Sequence, residues 1–174
     1  MHSLKRVATL LLLGVGLAGV SQATTLVSLS TEQLAAQSDN IVIGTCTQLR
    51  SAWVDRTLVT LATISVSESL KGDAAQEVTL VVPGGVDASR PVPVAVIYPD
   101  APFVGLRDNV LLFLNDEAAV ADGFSVVGYS QGKYTILRDA SGHETASAAR
   151  GERVDLATFK QQIRNAVEAQ GGNN

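Results

Sequence analysis

Residues 57–85 read TLVTLATISVSESLKGDAAQEVTLVVPGG, and the fold follows from how this stretch is read. From Ala62 onward, Ile64, Val66 and Leu70 share one parity while Thr63, Ser65, Ser67 and Ser69 hold the other, the period-two pattern of a strand with one buried face. Glu68 interrupts the apolar parity near its end. Leu70-Lys71-Gly72-Asp73 then breaks the pattern with a glycine free to take positive φ. Glu77 to Val82 resumes it with Val78, Leu80 and Val82 on one face, and Pro83-Gly84-Gly85 stops the second strand.

Upstream of this pair, Ser30-Thr31-Glu32-Gln33 has the form of a capping box and opens a short helix that runs to Gln37. Ile41-Val42-Ile43-Gly44-Thr45-Cys46 begins a strand that is apolar on both parities, hence buried on both faces at its start, and runs on toward Trp53. Asp55-Arg56 turns the chain into the central pair. Downstream, Pro91, Pro93, Pro99 and Pro102 punctuate the stretch from Val86 to Leu106. Prolines lack a ladder donor, so this stretch is read as irregular, with room for no more than an edge strand over Val94 to Tyr98. A loop of this length inside a compact domain is functional or mobile, which makes it the first candidate for a binding surface.

Val110-Leu111-Leu112-Phe113-Leu114 fits a fully buried strand. Phe124 to Tyr129 and Tyr134 to Leu137, joined by Ser130-Gln131-Gly132-Lys133, predict a hairpin. A turn at Asp139 to Gly142 leads to a last short strand near His143 to Ala146. The C-terminal helix has a clear start: Asp155 is the cap, Leu156, Phe159, Ile163 and Val167 repeat at helical spacing, and Val154 staples onto Phe159. The expected fold class is mainly β, an antiparallel barrel or sandwich of six to seven short strands, with a five-stranded barrel plus additions preferred. A short N-terminal helix and a C-terminal amphipathic helix complete it.

The chain has 174 residues, 46% of them hydrophobic and 17% charged, which suits one globular domain. His2, Lys5 and Arg6, then the apolar run Val7 to Val20, then Ser21-Gln22-Ala23 read as a secretory signal peptide over residues 1–23, cleaved after Ala23. The run is shorter than the ~20 residues of a membrane span, so no stable membrane insertion is expected, and the protein is placed in the periplasm or outside the cell. Residues 24–170 form the domain and residues 171–174 a frayed tail. Loss of Lys5 and Arg6 takes the net charge from −4 to −6, and such an acidic chain with scattered basic residues is a poor partner for nucleic acid. With Cys46 the only cysteine, no internal disulfide forms.

No catalytic set emerges. Cys46 lies in a strand of buried character, and its one available partner after cleavage is His143, beside a turn. Ser141 with Asp139 lacks a nucleophile elbow, and one histidine with one cysteine is too few for zinc. Asp100, Asp108, Asp116, Glu117 and Asp122 lie in or beside loops without the spacing of a calcium loop, and Gly84-Gly85 and Gly132-Lys133 open no helix. No cofactor or metal is expected. Lys71 and Lys133 flank turns and are expected to be solvated. The binding candidates are the aromatic residues Trp53, Tyr98, Phe103 and Tyr129, at strand ends or in the proline loop, where a ring can anchor a peptide or stack on a sugar.

Ser38-Asp39-Asn40-Ile41-Val42-Ile43-Gly44-Thr45, Val66 to Gly72 with its Leu-Lys-Gly, Val78 to Pro83, and Gly105 to Leu114 fall in the order seen in netrin-module domains. Over about residues 38–114 the chain resembles these and the wider group related to tissue inhibitors of metalloproteinases. Small secreted bacterial proteins with a tryptophan like Trp53, a Leu-Lys-Gly, a Pro-Gly-Gly and a Val-Gly…Gln-Gly-Lys block resemble it more closely still. The resemblance implies an oligonucleotide/oligosaccharide-binding (OB) type of barrel and the binding of another exported protein, a protease being one such partner. It departs from the inhibitors at the N-terminal cysteine that clamps zinc, since the expected mature start is Thr24, and it lacks the family's disulfides. The sequence therefore points to an exported, non-catalytic protein-binding module, with a carbohydrate or cell-wall-binding module as the alternative and a cysteine hydrolase on Cys46 and His143 as a third reading.

Overall fold

The computed structural model describes residues 28–171 apart from Ala118 and Ala121. The expected signal peptide, its cleavage site and the tail beyond Gly171 lie outside the described residues. Helix α1 (Thr31–Gln37) carries the full capping box: Ser30 Oγ accepts from Gln33 N, and the Gln33 side chain accepts from Ser30 N at 2.8 Å. Ten strands follow among the described residues: β1 (Asn40–Val54), β2 (Thr57–Lys71), β3 (Glu77–Pro83), β4 (Gly85–Asp87), β5 (Val94–Val96), β6 (Asn109–Glu117), β7 (Gly123–Val126), β8 (Lys133–Arg138), β9 (Glu144–Ala148) and β10 (Arg153–Asp155). Helix α2 (Leu156–Gly171) closes the chain. The protein is mainly β with a helix near each end of the described chain.

The strand count exceeds the expected six to seven because β4 and β10 are three-residue ladders, too short for any periodicity to show, while β5 falls within the edge strand allowed over Val94 to Tyr98. β1 and β2, at 15 residues each, run close to the spans the sequence predicts, Ile41 to Trp53 and the stretch that ends at Leu70. They form one hairpin whose two-residue turn holds Asp55 at φ 45° and Arg56 at φ 68°, the left-handed pair that matches strand twist. Five strands close a ring: β1 pairs β2, β2 pairs β3, β3 pairs β7 in parallel, β7 pairs β6, and β6 returns to β1. Closure in this order, with one parallel contact, is that of an OB-type barrel, and it leaves no continuous edge on the ring.

The ring encloses Val42, Cys46, Ala62, Ile64, Val78, Leu80, Val110, Leu112 and Leu114. Outside it lies a second core, in which Ile41, Leu111 and Phe113 meet Ile136 of β8, Ala146 of β9, Leu34 and Ala35 of α1, and Leu156, Phe159 and Ile163 of α2. Strands β1 and β6 are thus apolar on both parities for a simple reason: each is a wall between two cores. Phe113, Tyr134 and Phe159 form an aromatic trio in the second one, with Tyr134 and Phe159 centroids 4.7 Å apart. Glu68, which broke the apolar parity of β2, pairs with Lys160 and Arg164 and so ties α2 to the barrel.

The expected hairpin between residues 124–129 and 134–137 does not form. Both segments instead pair antiparallel with β6, β7 along Leu114–Glu117 and β8 along Val110–Leu112. They are one bent strand interrupted by residues 127–132, in which Val127 N donates to Phe113 O and Gly132 N donates back to Val127 O. Each half has β6 on one side, so neither needs the other. Lys133 is not solvated either: it is 8% exposed, with Nζ donating to Thr135 Oγ1 at 2.6 Å, and burial pushes its ammonium pKa down. Lys71 reaches α1, donating to Ala35 O at 2.8 Å near the helix end.

Replacing Leu112 or Phe113 by alanine empties opposite sides of the same strand, and urea unfolding is expected to show losses of about 2–5 kcal/mol and about 3–5 kcal/mol respectively. Gly44 lies where a Cβ would sit 2.4 Å from Ser65 O of β2, so Gly44→Ala is expected to force β1 and β2 apart and cost about 1–3 kcal/mol by the same measurement.

Candidate functional site

A groove of about 460 Å³ runs along the outside of the barrel where β3 and β7 meet. Its floor is apolar, made by Val54 and Val59 at the β1–β2 hairpin tip, Val81 and Pro83 of β3, Val126 of β7, and Pro102. Asp55, Thr57, Glu117, Ala119, Ser125, Gly128 and Tyr129 complete the lining. Val59, Leu61 and Val81 form a small third cluster beneath it, with Ala52, Val54 and Val120 packed on. The groove exists because the parallel ladder between β3 and β7 is only two residues long, Thr79 to Gly123 and Leu80 to Phe124, although β3 runs on to Pro83 and β7 to Val126. Past Leu80 the strands have no ladder between them, and the groove opens over the split.

Tyr129 stands at one side of the groove with φ 59°, 56% exposed, directly after Gly128 at φ 64°. A bulky residue in the left-handed region is strained by about 1–3 kcal/mol and persists where its surroundings impose it, as at ligand-binding surfaces. The constraint is visible: Ser130 N donates to Asp100 O at 3.1 Å, which docks the Pro99–Pro102 turn of the proline loop against this corner. An added Cβ on Gly128 would come within 2.8 Å of Leu29 Cδ1, so the segment entering α1 packs there as well.

Of the aromatic residues singled out in the sequence, Tyr129 lines the groove. Tyr98 and Phe103 flank it through their neighbours: Tyr98 lies against Gly84, next to Pro83, and Phe103 follows Pro102 and is 79% exposed. Val86, Val92, Ile97 and Leu106 are exposed on the same excursion. Trp53 does not join them. Strand alternation places Ala52 and Val54 toward the third cluster and turns Trp53 the other way, where its Nε1–H donates to Asp87 Oδ2 at 2.9 Å and the Arg90 guanidinium lies 5.5 Å from the ring centroid. Its role is to brace β4. The groove-lining Val54, Val59, Val81 and Val126 were missed because sequence parity reports burial: Val59 and Val81 are buried, Val54 and Val126 partly so, and all four read like core.

Cys46 is fully buried inside the ring, its Sγ–H directed to Gln48 O, and burial raises the thiol pKa. His143 sits in the exposed β8–β9 turn, with Nε2 donating to Asp155 Oδ2 at 2.9 Å, so the structure does not bring the two together. Ser141 Oγ donates to Asp139 Oδ1 at 2.6 Å and not to His143, so this turn holds no serine–histidine couple. Among the described residues no three histidine, cysteine or carboxylate side chains gather as a metal site; Asp108, for one, accepts from Gly105 N at 2.7 Å. Among those residues, too, no helix is long and apolar enough to cross a membrane. Set against known protein families and against curated protein sequences, the chain matches none of them.

Asp87 accepts from Ser89, Trp53 and Arg90, and these contacts hold its carboxyl far below the usual aspartate range. A depressed folded pKa means the contribution is present above the ordinary value near 3.8 and is lost only as pH falls through the lower folded value. Trp53 is the single tryptophan, so its emission reads this contact. Acid titration is expected to leave the neutral-pH spectrum unchanged through the ordinary aspartate range, and Asp87→Asn to shift the spectrum already at neutral pH; a transition at or above 3.8 would contradict the assignment.

Proposed function

We propose that this protein is an exported, non-catalytic binding module that holds another polypeptide in the groove between β3, β7 and the β1–β2 hairpin tip, with the proline loop as its second wall. The single observation that carries this reading is the open apolar groove with the strained, exposed Tyr129 at its lip, flanked by exposed Tyr98 and Phe103. An aromatic side chain buries much area at small entropic cost, which suits it to anchoring a partner. A rigid barrel with a closed ring of strands supplies the fixed surface, and the loop supplies the contact. Cys46 is buried inside the ring while His143 pairs with Asp155 in an exposed turn, so the one nucleophile–base pair named from the sequence is apart. The resemblance to netrin-module domains adds an exported protein, a protease among the candidates, as the kind of partner.

Photo-crosslinking residues placed at Tyr129 and Phe103, with one at Leu137 as an exposed control outside the groove, test this in the organism that makes the protein. One polypeptide crosslinking from both groove positions and not from the control is the expected result. Equal crosslinking from Leu137 would remove the site, and retention on wall or polysaccharide material with no polypeptide would replace the reading with a carbohydrate-binding one.

A further inference from the structure

Away from the groove, the β8–β9 turn and the cap of α2 meet at one side chain, His143. Asp155 commits Oδ1 to the helix, accepting from Thr158 N and Thr158 Oγ1, both at 2.7 Å. Asp139 commits Oδ1 to its own turn, accepting from Ser141 Oγ at 2.6 Å, Ser141 N at 2.8 Å and His143 N at 3.0 Å. The second oxygen of each carboxylate is left facing the same imidazole. Asp155 Oδ2 lies 2.9 Å from Nε2, and Asp139 Oδ2 lies 3.9 Å from Nδ1.

A neutral imidazole has one N–H, and here Nε2 gives it to Asp155. Nδ1 then turns a lone pair toward the Asp139 carboxylate, acceptor against acceptor. The imidazolium carries an N–H on both nitrogens, so protonation turns that approach into an attraction and gives each carboxylate a donor. The other charged groups on the surrounding elements are committed elsewhere or distant: Arg138 of β8 pairs with Glu144 of β9 at 2.8 Å, and Lys160 of α2 pairs with Glu68 of β2. Arg153 of β10 is exposed and lies opposite Ser147, four residues along β9 from His143, which is about 13 Å of strand.

We infer that His143 is a pH-sensitive clamp: its protonated ring bridges Asp139 and Asp155 and fastens the start of α2 to the β8–β9 turn, so the first turn of α2 is held more tightly in mildly acidic than in alkaline surroundings. That turn carries Leu156 and Phe159 into the second core, so the clamp acts on the rim of that core. Both carboxylates are held below the usual aspartate range, Asp155 chiefly by the Thr158 hydroxyl and Asp139 chiefly by the Ser141 hydroxyl. They are therefore still charged at roughly pH 5 to 8, where imidazoles take up a proton. The folded chain makes a contact that only the protonated ring offers. Its contribution is present on the acid side of that range and lost as pH rises through it; at the far acid end it is lost again as the carboxylates protonate through their lowered values. His143 is half exposed, which gives its ring free exchange with solvent and keeps the effect to that of a surface pair.

The test is an NMR titration of the protein that follows the His143 ring together with the backbone amides, paired with amide exchange expressed as protection factors so that the intrinsic pH dependence of exchange drops out. The Ser141 and Thr158 amides are expected to shift with the ring through one common midpoint, and protection at Phe159 and Lys160 to be roughly two- to fivefold higher with the ring protonated. His143→Gln keeps a donor for Asp155 and should remove the step in protection across that range. Asp139→Asn keeps the turn acceptor and should shrink the step, while the helix cap stays intact in both variants. A ring that titrates while the Thr158 amide and α2 protection stay constant would overturn the inference. So would protection that rises toward alkaline pH, or a step that persists in His143→Gln, since another group would then be its source.

Discussion

Everything in this fold depends on burying both faces of β6. Val110 to Leu114 are all fully buried, and along those five residues there is no polar side chain. One parity fills the ring and the other founds the core beneath α1 and α2. Such a strand has a particular difficulty: because both faces are apolar, a slip by one residue would not expose the core, so hydrophobic alternation cannot set its register. Polar contacts at the ends of the β1–β6 ladder set it instead. Asp39 N donates to Leu114 O at 2.8 Å at one end, and Thr45 Oγ1 donates to Asn109 Oδ1 at 2.7 Å at the other. The size of Phe113, packed among Tyr134 and Phe159, adds a steric lock in the middle.

With β6 fixed, the remaining elements have little freedom. β1 must lie on one side and the bent β7–β8 strand on the other, and the bend divides the molecule. β7 stays in the ring, while β8 leaves it to carry β9 and β10 under the helices. The bend is made by residues 127–132, the segment that contains strained Tyr129. The groove opens beside this bend, past the last β3–β7 pair at Leu80 and Phe124.

Much of this was legible in the sequence where a single local signal decided the outcome. The alternation of β2 and β3, the two-sided apolar run of β6, the Ser30 capping box and the Asp155 cap each appear where expected. The hairpin expected at residues 124–137 failed because two strands separated by a glycine-containing turn look the same whether they pair with each other or share a third strand. Lys133 was misplaced for a similar reason: its neighbours Gln131 and Gly132 read as a turn, but its position opposite Leu112 puts it over the ring. Of the site, the exposed aromatic residues of the proline loop and Tyr129 were visible as types, whereas the groove with its valine floor lies where the β3–β7 ladder stops early. No residue pattern announces that.

Native-state hydrogen exchange, followed residue by residue, addresses the dependence on β6 most directly. If β6 holds both cores, the amides of Val110 to Leu114 exchange only through global unfolding, with the same free energy and the same denaturant dependence as the ring strands β2 and β3 and the helix α2. If instead α2, β8 and β9 open while β6 stays protected with the ring, or β6 opens ahead of either core, the two cores are independent and β6 is not their common support.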